Sequence, residues 1–248
     1  MNLPIENTYR IADLNIRIRS NWDKVHRMCR DYLVYGEPDF CVFVEPCDIE
    51  AEREEAIRSA AKENNSHMQN WSDAYLETLA VYRKIAEKMP DYDTVLFHGS
   101  AIAVDGQGYL FTAPSGTGKS THARLWRELL GERTVMVNDD KPLLRVTESG
   151  VIVYGTPWNG KHRLGSNISV PLRAVCELNR AEENSITEIS GREAVPMLLR
   201  QCYRPAEPAD IQKTLMLLDR MTRSLHFYRL WCNMDPMAAQ VSWQAMRY

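Results

Sequence analysis

The segment from Ala113 to Thr121 contains the residue types that bind phosphate. Its residues, Ala113-Pro114-Ser115-Gly116-Thr117-Gly118-Lys119-Ser120-Thr121, fit the phosphate-binding loop pattern, with alanine where the first glycine is commonest. Glycines at positions 116 and 118 let the backbone turn tightly and expose successive N–H groups to phosphate oxygens. Lys119 would reach the β- and γ-phosphates, and the Ser120 hydroxyl would ligate Mg²⁺. The sequence therefore predicts that this loop binds ATP or GTP.

Two adjacent aspartates follow the next apolar stretch, Thr134–Val137, in the run Asn138-Asp139-Asp140. A carboxylate at the end of that strand is where a second Mg²⁺ contact belongs in such folds. One aspartate can hold the metal, and the other can accept a proton from an attacking hydroxyl. Neighbouring side chains on a strand point to opposite faces, so the sequence leaves open which of the two is the base. The alternative is a solvated turn, since Asn and Asp favour turns.

A third candidate region is the turn-rich stretch 155–167, which contains Trp158, Lys161, His162 and Arg163. Cations on such a loop could stabilise a transferring phosphoryl group or bind an acidic substrate. Arg163 and Lys161 are the better candidates for this role. A solvated basic turn is the alternative interpretation.

Strands alternating with helices must position these residues. A strand over Tyr109–Thr112 leads into the loop, and a helix over Ser120–Leu130 follows it, with Gly131 placed to end the helix. A capping box beginning at Ser190 predicts a helix that reaches about Tyr203. The remaining predicted elements are strands at Val95–Phe97, Ala101–Val104, Thr134–Val137, Leu143–Val146, Val151–Tyr154, Leu172–Leu178 and Phe227–Cys232, a helix at Pro208–Ser224 and a terminal helix after Asp235. This alternation is typical of an α/β fold.

The first ~90 residues have a different pattern, which predicts an α+β region. Alternating stretches at Tyr9–Ile18 and Phe40–Val44 indicate strands, and Asp48 is placed to cap a polar helix over Ile49–Asn64. Apolar residues at three- and four-residue steps predict an amphipathic helix over Ser72–Met89. We therefore divide the chain into an N-terminal region, 1–92, and a core, 93–248. The N-terminal region is interpreted as an elaboration packed on the core, which binds substrate or mediates assembly.

Composition excludes several classes of protein. Hydrophobic residues make up 44% of the chain and charged residues 25%, which are ordinary globular values. A net charge of −3 gives no general attraction to nucleic acid or to anionic membranes. The apolar runs are too short to span a bilayer, and the N-terminus lacks the apolar centre of a signal peptide. The six scattered cysteines form no C-x-x-C pair, so we expect reduced thiols in a cytoplasmic protein.

Taken together, the motifs resemble a known family. The order His98-Gly99-Ser100-Ala101, then Ala113–Thr121, then Asn138-Asp139-Asp140 is similar to the catalytic core of bacterial HPr kinase/phosphorylase. Phosphoenolpyruvate carboxykinase has a similar series, and the two share a P-loop fold distinct from that of ordinary nucleoside triphosphatases. The resemblance covers about residues 94–178 well and implies a P-loop core built on a mixed β-sheet.

The resemblance implies roles for individual residues. Lys119 and Ser120 would bind the nucleotide phosphates and Mg²⁺, His98 would lie beside the phosphates, and Asp139 and Asp140 would supply base and metal ligand. The implied nucleotide contacts are Pro114, Ser115, Gly116, Thr117, Gly118, Lys119, Ser120 and Thr121. The cofactors would be ATP and Mg²⁺, and since such proteins are often oligomeric, a homo-oligomer is implied as well.

Three functions follow as hypotheses. The first is an ATP- and Mg²⁺-dependent kinase that phosphorylates a hydroxyl, for example that of serine, in a protein, peptide or small metabolite. The second is a nucleotide-binding regulatory module without phosphate transfer, which the absence of the Glu-x-Arg-Gly segment of HPr kinases favours; the comparable stretch here is Tyr154–Arg163. The third is carboxykinase-like phosphoryl transfer on a small acid.

Overall fold

The structure, a computed structural model, describes residues 4–62, 71–160 and 162–248. The chain divides into two compact units, Met1–Lys88 and Met89–Tyr248. Lys161, one of the candidate cations, lies outside the described residues. The six cysteines are all described and are free thiols, as expected. Among the described residues, no helix is long and apolar enough to cross a membrane.

The first unit contains a four-stranded sheet with strand order β3-β1-β2-β4. Its elements are β1 (Ile5–Ile11), β2 (Leu14–Ser20), α1 (Lys24–Met28), β3 (Leu33–Val34), β4 (Phe40–Phe43), α2 (Pro46–Lys62) and α3 (Asp73–Lys88). The prediction of one strand over Tyr9–Ile18 is wrong, because the chain reverses at Ala12 and Asp13, whose φ angles are 50° and 58°. Positive φ at both central residues is typical of a tight hairpin turn. Alanine gives no signal for such a turn.

The polar helix of the first unit begins three residues earlier than expected. Pro46 occupies the first turn of α2, where its fixed φ fits the helix. Asp48 therefore lies inside the first turn, and the assignment of Asp48 as N-cap is wrong. Its Oδ2 accepts a hydrogen bond of 2.7 Å from the backbone N–H of Glu45. The carboxylate still satisfies a free N–H at the helix start, by reaching backwards along the chain.

The second unit is a nine-stranded mixed sheet. Its strands are β5 (Thr94–Leu96), β6 (Ser100–Val104), β7 (Gln107–Thr112), β8 (Thr134–Asn138), β9 (Leu143–Thr147), β10 (Gly150–Tyr154), β11 (Ser169–Arg180), β12 (Ser185–Ile189) and β13 (His226–Cys232). The main path runs β5-β9-β10-β11-β7-β6-β8, and β13 pairs with both β11 and β12. Every residue of β6 is buried, as expected for a strand covered on both faces.

Helices cover both faces of this sheet. They are α4 (Lys119–Leu130), α5 (Gly191–Gln201), α6 (Pro208–Ser224) and α7 (Met237–Met246). One apolar core contains Leu198 of α5 and Met221 of α6, and the other contains Trp126 of α4 and Ala239 of α7. The second unit is thus a mixed α/β structure of three layers, which agrees with the α/β class predicted from the sequence.

Several local predictions for the second unit are confirmed. The capping box at Ser190 is present, with the Ser190 hydroxyl accepting from Glu193 N–H and the Glu193 carboxylate accepting from Ser190 N–H. Helix α6 has the predicted bounds, and α4 ends at Gly131, whose φ is 57°. Strand β12 was not predicted. Its pattern of exposed and half-buried residues, with no buried position, gives little hydrophobic signal.

Candidate functional site

The order of three strands brings the candidate motifs to one edge of the sheet. Strand β6 lies between β7 and β8 and is antiparallel to both, so β7 and β8 run in the same direction. Their carboxyl ends, which lead into the glycine-rich loop and the two aspartates, therefore meet the edge where β6 begins. His98 lies just before β6 at the same edge. Ligands of open α/β sheets bind outside the carboxyl ends of strands.

The glycine-rich loop has the backbone conformation expected of a phosphate-binding loop. Gly116 and Gly118 have φ angles of 74° and 128°, which favour glycine. A Cβ at either position would meet nothing within 4 Å, so glycine is required there by backbone conformation and not by packing. Helix α4 then starts with no side-chain cap and no acidic residue in its first turn. Its first N–H groups and its positive dipole end thus suit an anion.

Two lysines add positive charge near this helix start. Lys119 is 8% exposed, and its Nζ donates to the carbonyl oxygens of Ala113 at 2.9 Å and Pro114 at 3.4 Å. Burial lowers the pKa of Lys119, with the charge of Lys141 adding to the effect and Asp140 opposing it. Burial likewise lowers the pKa of Lys141. An anion close to both ammonium groups would stabilise their charged forms.

Asp140 and His98 lie together beside these lysines. The Nε2 atom of His98 is 3.5 Å from Oδ1 of Asp140, and the backbone N–H of Gly99 donates to the Asp140 carbonyl at 3.0 Å. The Asp140 side chain is 34% exposed and its charge acts on Lys119 and Lys141. Asp140 and the His98–Gly99 segment are in contact through both side chains and backbone, so the base candidate and the histidine share one site.

Burial, followed by the charges of Lys141 and Lys119, lowers the pKa of His98 to about 4. The imidazole is therefore neutral near pH 7. Its Nδ1 lies 3.1 Å from Oε1 of Gln201, an acceptor, so Nδ1 carries the proton and Nε2 has a free lone pair. That lone pair faces Asp140. Two acceptors this close are suited to share one proton or one cation.

Asp139 points to a different set of partners. It is 5% exposed, and its Oδ1 accepts a hydrogen bond of 2.6 Å from the backbone N–H of Gly160. Asn138 holds the turn: its Oδ1 accepts from the N–H groups of Asp140 at 2.8 Å and Lys141 at 2.6 Å. Its Nδ2 donates to both oxygens of Thr156. The two aspartates thus differ, with Asp139 bound to the 155–167 loop and Asp140 facing Lys119 and His98.

The remaining predicted site residues lie on the surface. Arg163 is exposed, with φ of 49°, and its backbone N–H donates to Gly160. Its guanidinium makes no hydrogen bond or ion pair within the described ranges, so the structure does not bring it to His98 or Asp140. In the glycine-rich loop, the exposed or partly exposed residues are Pro114, Ser115, Gly116, Thr117, Gly118, Ser120 and Thr121.

Sequence reasoning missed three residues at this edge. Lys141 directly follows the aspartates, and its position could have identified it. Gln201 lies 103 positions from His98, and no local pattern connects them. Arg180, at the end of β11, donates from its guanidinium to the Gly116 carbonyl at 2.6 Å and to that of Thr117 at 3.4 Å. Only the parallel pairing of β11 with β7 places it against the loop.

The described residues contain no group of three or more His, Cys, Asp or Glu side chains able to hold a metal ion. A magnesium ion here would be held by fewer protein ligands together with phosphate oxygens, which is usual for Mg²⁺ in nucleotide sites. The Ser120 hydroxyl and the Asp140 carboxylate fit this requirement, because both are accessible hard oxygen donors at the same edge. The Asp139 carboxylate is less accessible, since it is buried and bonded to Gly160.

Comparison with known proteins gives a matching family model and similarity to solved structures. Residues 62–206 match the model of the family described as SynChlorMet cassette protein ScmC. That description states no reaction. The structure of the Hpr(Ser) kinase/phosphatase from Coxiella burnetii is similar with 10% sequence identity and a TM-score of 0.33, covering 60% of this chain and 95% of that chain. No curated protein matches the chain.

Proposed function

We propose that this chain, which belongs to the SynChlorMet cassette protein ScmC family, is an ATP- and Mg²⁺-dependent phosphotransferase that phosphorylates a hydroxyl group. The acceptor would be serine in a protein or peptide, or the hydroxyl of a small metabolite. The proposal is supported by one observation above all others. An uncapped helix start behind two positive-φ glycines lies at the same edge of the sheet as Asp140 and His98.

The glycine-rich loop would bind the phosphates of ATP. Backbone N–H groups at the start of α4, the helix dipole and Lys119 would balance the phosphate charge. Magnesium, held by Ser120 and phosphate oxygens, would neutralise charge on the transferring phosphoryl group. Lys141 would contribute a second positive charge. These contributions are electrostatic and positional, which is how most phosphoryl-transfer catalysis is achieved.

Asp140 would accept the proton of the attacking hydroxyl. Its carboxylate faces the site, whereas Asp139 holds the 155–167 loop through Gly160. The neutral imidazole of His98 lies 3.5 Å away and offers a lone pair at Nε2, so it can position or share that proton. The hydroxyl oxygen then bonds to phosphorus as the bond to the leaving ADP oxygen breaks.

The test combines a labelled nucleotide with two lysine variants. The protein is incubated with Mg²⁺ and ATP labelled at the γ-phosphate, together with co-encoded peptides, HPr and free serine. We expect a hydroxyl acceptor to gain the label, and the Lys119→Ala variant to lower the rate by a factor of about 10³ or more. The matched control is Lys213→Ala, which removes an exposed lysine on α6 paired with Asp91 and Asp210.

Other outcomes contradict the proposal in distinct ways. Equal labelling by wild type and Lys119→Ala would exclude the loop from the reaction. Tight ATP binding without labelling of any acceptor would support the non-catalytic nucleotide-binding module instead. Oxaloacetate-dependent ATP consumption with release of carbon dioxide would support carboxykinase-like chemistry.

A further inference from the structure

A buried carboxylate on the α5 side of the sheet binds two arginines. Oε1 of Glu177 accepts from the Arg200 guanidinium at 2.7 Å, and Oε2 accepts from Nε of Arg229 at 3.2 Å. The Glu177 side chain is only 11% exposed, while those of Arg200 and Arg229 are 57% and 36% exposed. Three different elements, β11, α5 and β13, supply these residues. One carboxylate thus fixes two accessible guanidinium groups.

This cluster adjoins the candidate site through two links. Glu177 pairs in register with Thr112, the last residue of β7 before the glycine-rich loop, and the Thr112 hydroxyl donates to the His98 carbonyl at 2.9 Å. Arg200 immediately precedes Gln201, whose side chain lies 3.1 Å from His98 and whose carbonyl accepts from the His98 N–H. Glu177 and Arg200 are therefore each linked to His98 through one neighbouring residue, Thr112 for Glu177 and Gln201 for Arg200.

The cluster has unused capacity to bind an anion. Each guanidinium has five N–H donors, and each makes one hydrogen bond, to Glu177, in the part of the chain that the structure describes. The charge of Glu193 also acts on Arg229, although the hydrogen bonds of its carboxylate come from Ser190. Two guanidinium groups thus face two carboxylates, Glu177 and Glu193, so the capacity of the cluster for an anion lies in its free N–H donors. A carboxylate, with its single charge, suits such a nearly neutral cluster better than a phosphate, which carries more negative charge.

We propose that Arg200 and Arg229 bind a carboxylate group of the hydroxyl-bearing substrate, with Glu177 positioning both. Arginine binds carboxylates through paired N–H groups, which fixes the orientation of the bound molecule. The substrate class is therefore an acidic one: either a peptide with Asp or Glu near the reacting hydroxyl, or a small hydroxy acid. The interpretation as a substrate site rests on the proposed function.

Binding is measured without nucleotide, by calorimetry at low ionic strength. The probes are the capped peptide Glu-Glu-Ser-Glu-Glu, its neutral counterpart Gln-Gln-Ser-Gln-Gln, and malate as the small hydroxy acid. We expect at least tenfold tighter binding of one acidic probe than of the neutral peptide. Arg200→Gln and Arg229→Gln should each weaken that binding about tenfold. Arg204→Gln, an exposed arginine nearby, is the matched control and should change it less than twofold.

Tighter binding of the acidic peptide would identify a peptide substrate, and tighter binding of malate would identify a small hydroxy acid. Equal affinity for acidic and neutral peptides with no binding of malate, or undiminished binding in both arginine variants, would overturn the proposal. Each single variant leaves one arginine paired with the buried Glu177. Thermal denaturation verifies that each variant is folded, and if one of the two variants is unfolded, the binding measured with the folded variant decides. Wild-type binding of a fluorescent ATP analogue is measured separately. If the protein binds the ATP analogue but neither acidic probe, the arginine site is contradicted and the proposed function is not. If it binds an acidic probe but not the ATP analogue, the proposed function is contradicted and the arginine site is not.

Discussion

Two adjacent aspartates occupy different environments in this protein. Asp139 is buried and bonded to the backbone N–H of Gly160. Asp140 is more accessible and lies 3.5 Å from His98, with its charge acting on Lys119. Both aspartates lie beyond the end of β8, where Asn138 accepts from the backbone N–H groups of Asp140 and Lys141 and turns the chain, so the two side chains meet different partners.

We predict that Asp140→Asn and Asp139→Asn have opposite profiles. Asp140→Asn removes the proposed base and should lower the phosphotransfer rate by a factor of about 10²–10⁴ with little loss of stability. Asp139→Asn weakens a charged hydrogen bond and should lower the free energy of unfolding by about 1 kcal/mol. Steady-state kinetics and urea denaturation measure the two effects. Equal losses of rate in the two variants would contradict the distinction.

Gly118 allows a second prediction at the scale of one residue. Its φ of 128° is strained for any residue with a Cβ, and the strain should cost about 1–3 kcal/mol. Gly118→Ala should therefore weaken binding of a fluorescent ATP analogue at least tenfold. Gly106→Ala is the matched control, because Gly106 also has a positive φ and open space but lies in the β6–β7 turn. A similar affinity loss in both variants would show that general destabilisation is responsible.

The sequence indicates candidate residues that lie in local patterns and gives no signal for those that depend on tertiary contacts. Lys119, Ser120 and the aspartates belong to short motifs whose spacing indicates their chemistry. Gln201 reaches His98, and Arg180 reaches Gly116, only because strands and helices distant in the sequence come together. Arg163 illustrates the opposite error. Its basic loop suggested a role in the site, but within the described residues its guanidinium makes no hydrogen bond or ion pair.

Among the elements, α4 and α7 are joined by a buried polar network on Ser242. Its hydroxyl contacts His122 Nε2 at 2.9 Å and accepts from Trp126 Nε1 at 2.8 Å. The same hydroxyl bonds to the Ala238 carbonyl within α7 at 2.9 Å. One hydroxyl of α7 thus makes polar contacts with two side chains of the helix that follows the glycine-rich loop.

We predict that Ser242→Ala lowers the free energy of unfolding by about 1–3 kcal/mol, because it leaves a buried indole N–H unpaired. Urea denaturation followed by tryptophan fluorescence measures the change. Ser224→Ala is the control, since Ser224 also bonds to a helical carbonyl but is exposed at the end of α6. Equal small losses in both variants would mean that the network does not stabilise the contact between the helices.

Elements with clear hydrophobic periodicity or caps were predicted well, and elements without them were not. Helix α6 and the capping box of α5 follow directly from residue types. Strand β12 forms because β13 offers it a partner, not because of its own pattern. The β1–β2 turn at Ala12 and Asp13 likewise depends on the pairing of the two strands.

For the second unit, two histidines couple stability to pH. Burial is the main cause that lowers the pKa of His98 and of His122 to about 4. In the unfolded chain these histidines have an ordinary pKa near 6.5. As the pH falls they are therefore protonated in the unfolded chain before they are protonated in the folded protein, which favours unfolding. The stabilising contribution of these groups is therefore complete above about pH 6.5 and is lost as pH falls toward 4.

We predict that the free energy of unfolding falls between pH 7 and pH 5, by about 2 kcal/mol for each such histidine. His122→Gln removes one titrating group and should make the decrease smaller by that amount. Urea denaturation at pH 7, 6 and 5 measures both proteins. Parallel curves for wild type and variant would contradict the assignment.

The role of residues 1–92 in substrate binding or assembly stays a prediction.

The position of β6 has a consequence for shortened versions of the protein. This strand bonds to the loop-bearing β7 on one side and to the aspartate-bearing β8 on the other. A fragment that ends at Leu130 would contain the whole glycine-rich motif yet lack β8, β11 and Gln201. Its loop would have lost the neighbours that hold its shape. The smallest piece able to retain the candidate site must extend at least to the end of α5, so truncation within this stretch should disrupt that site while leaving the motif intact.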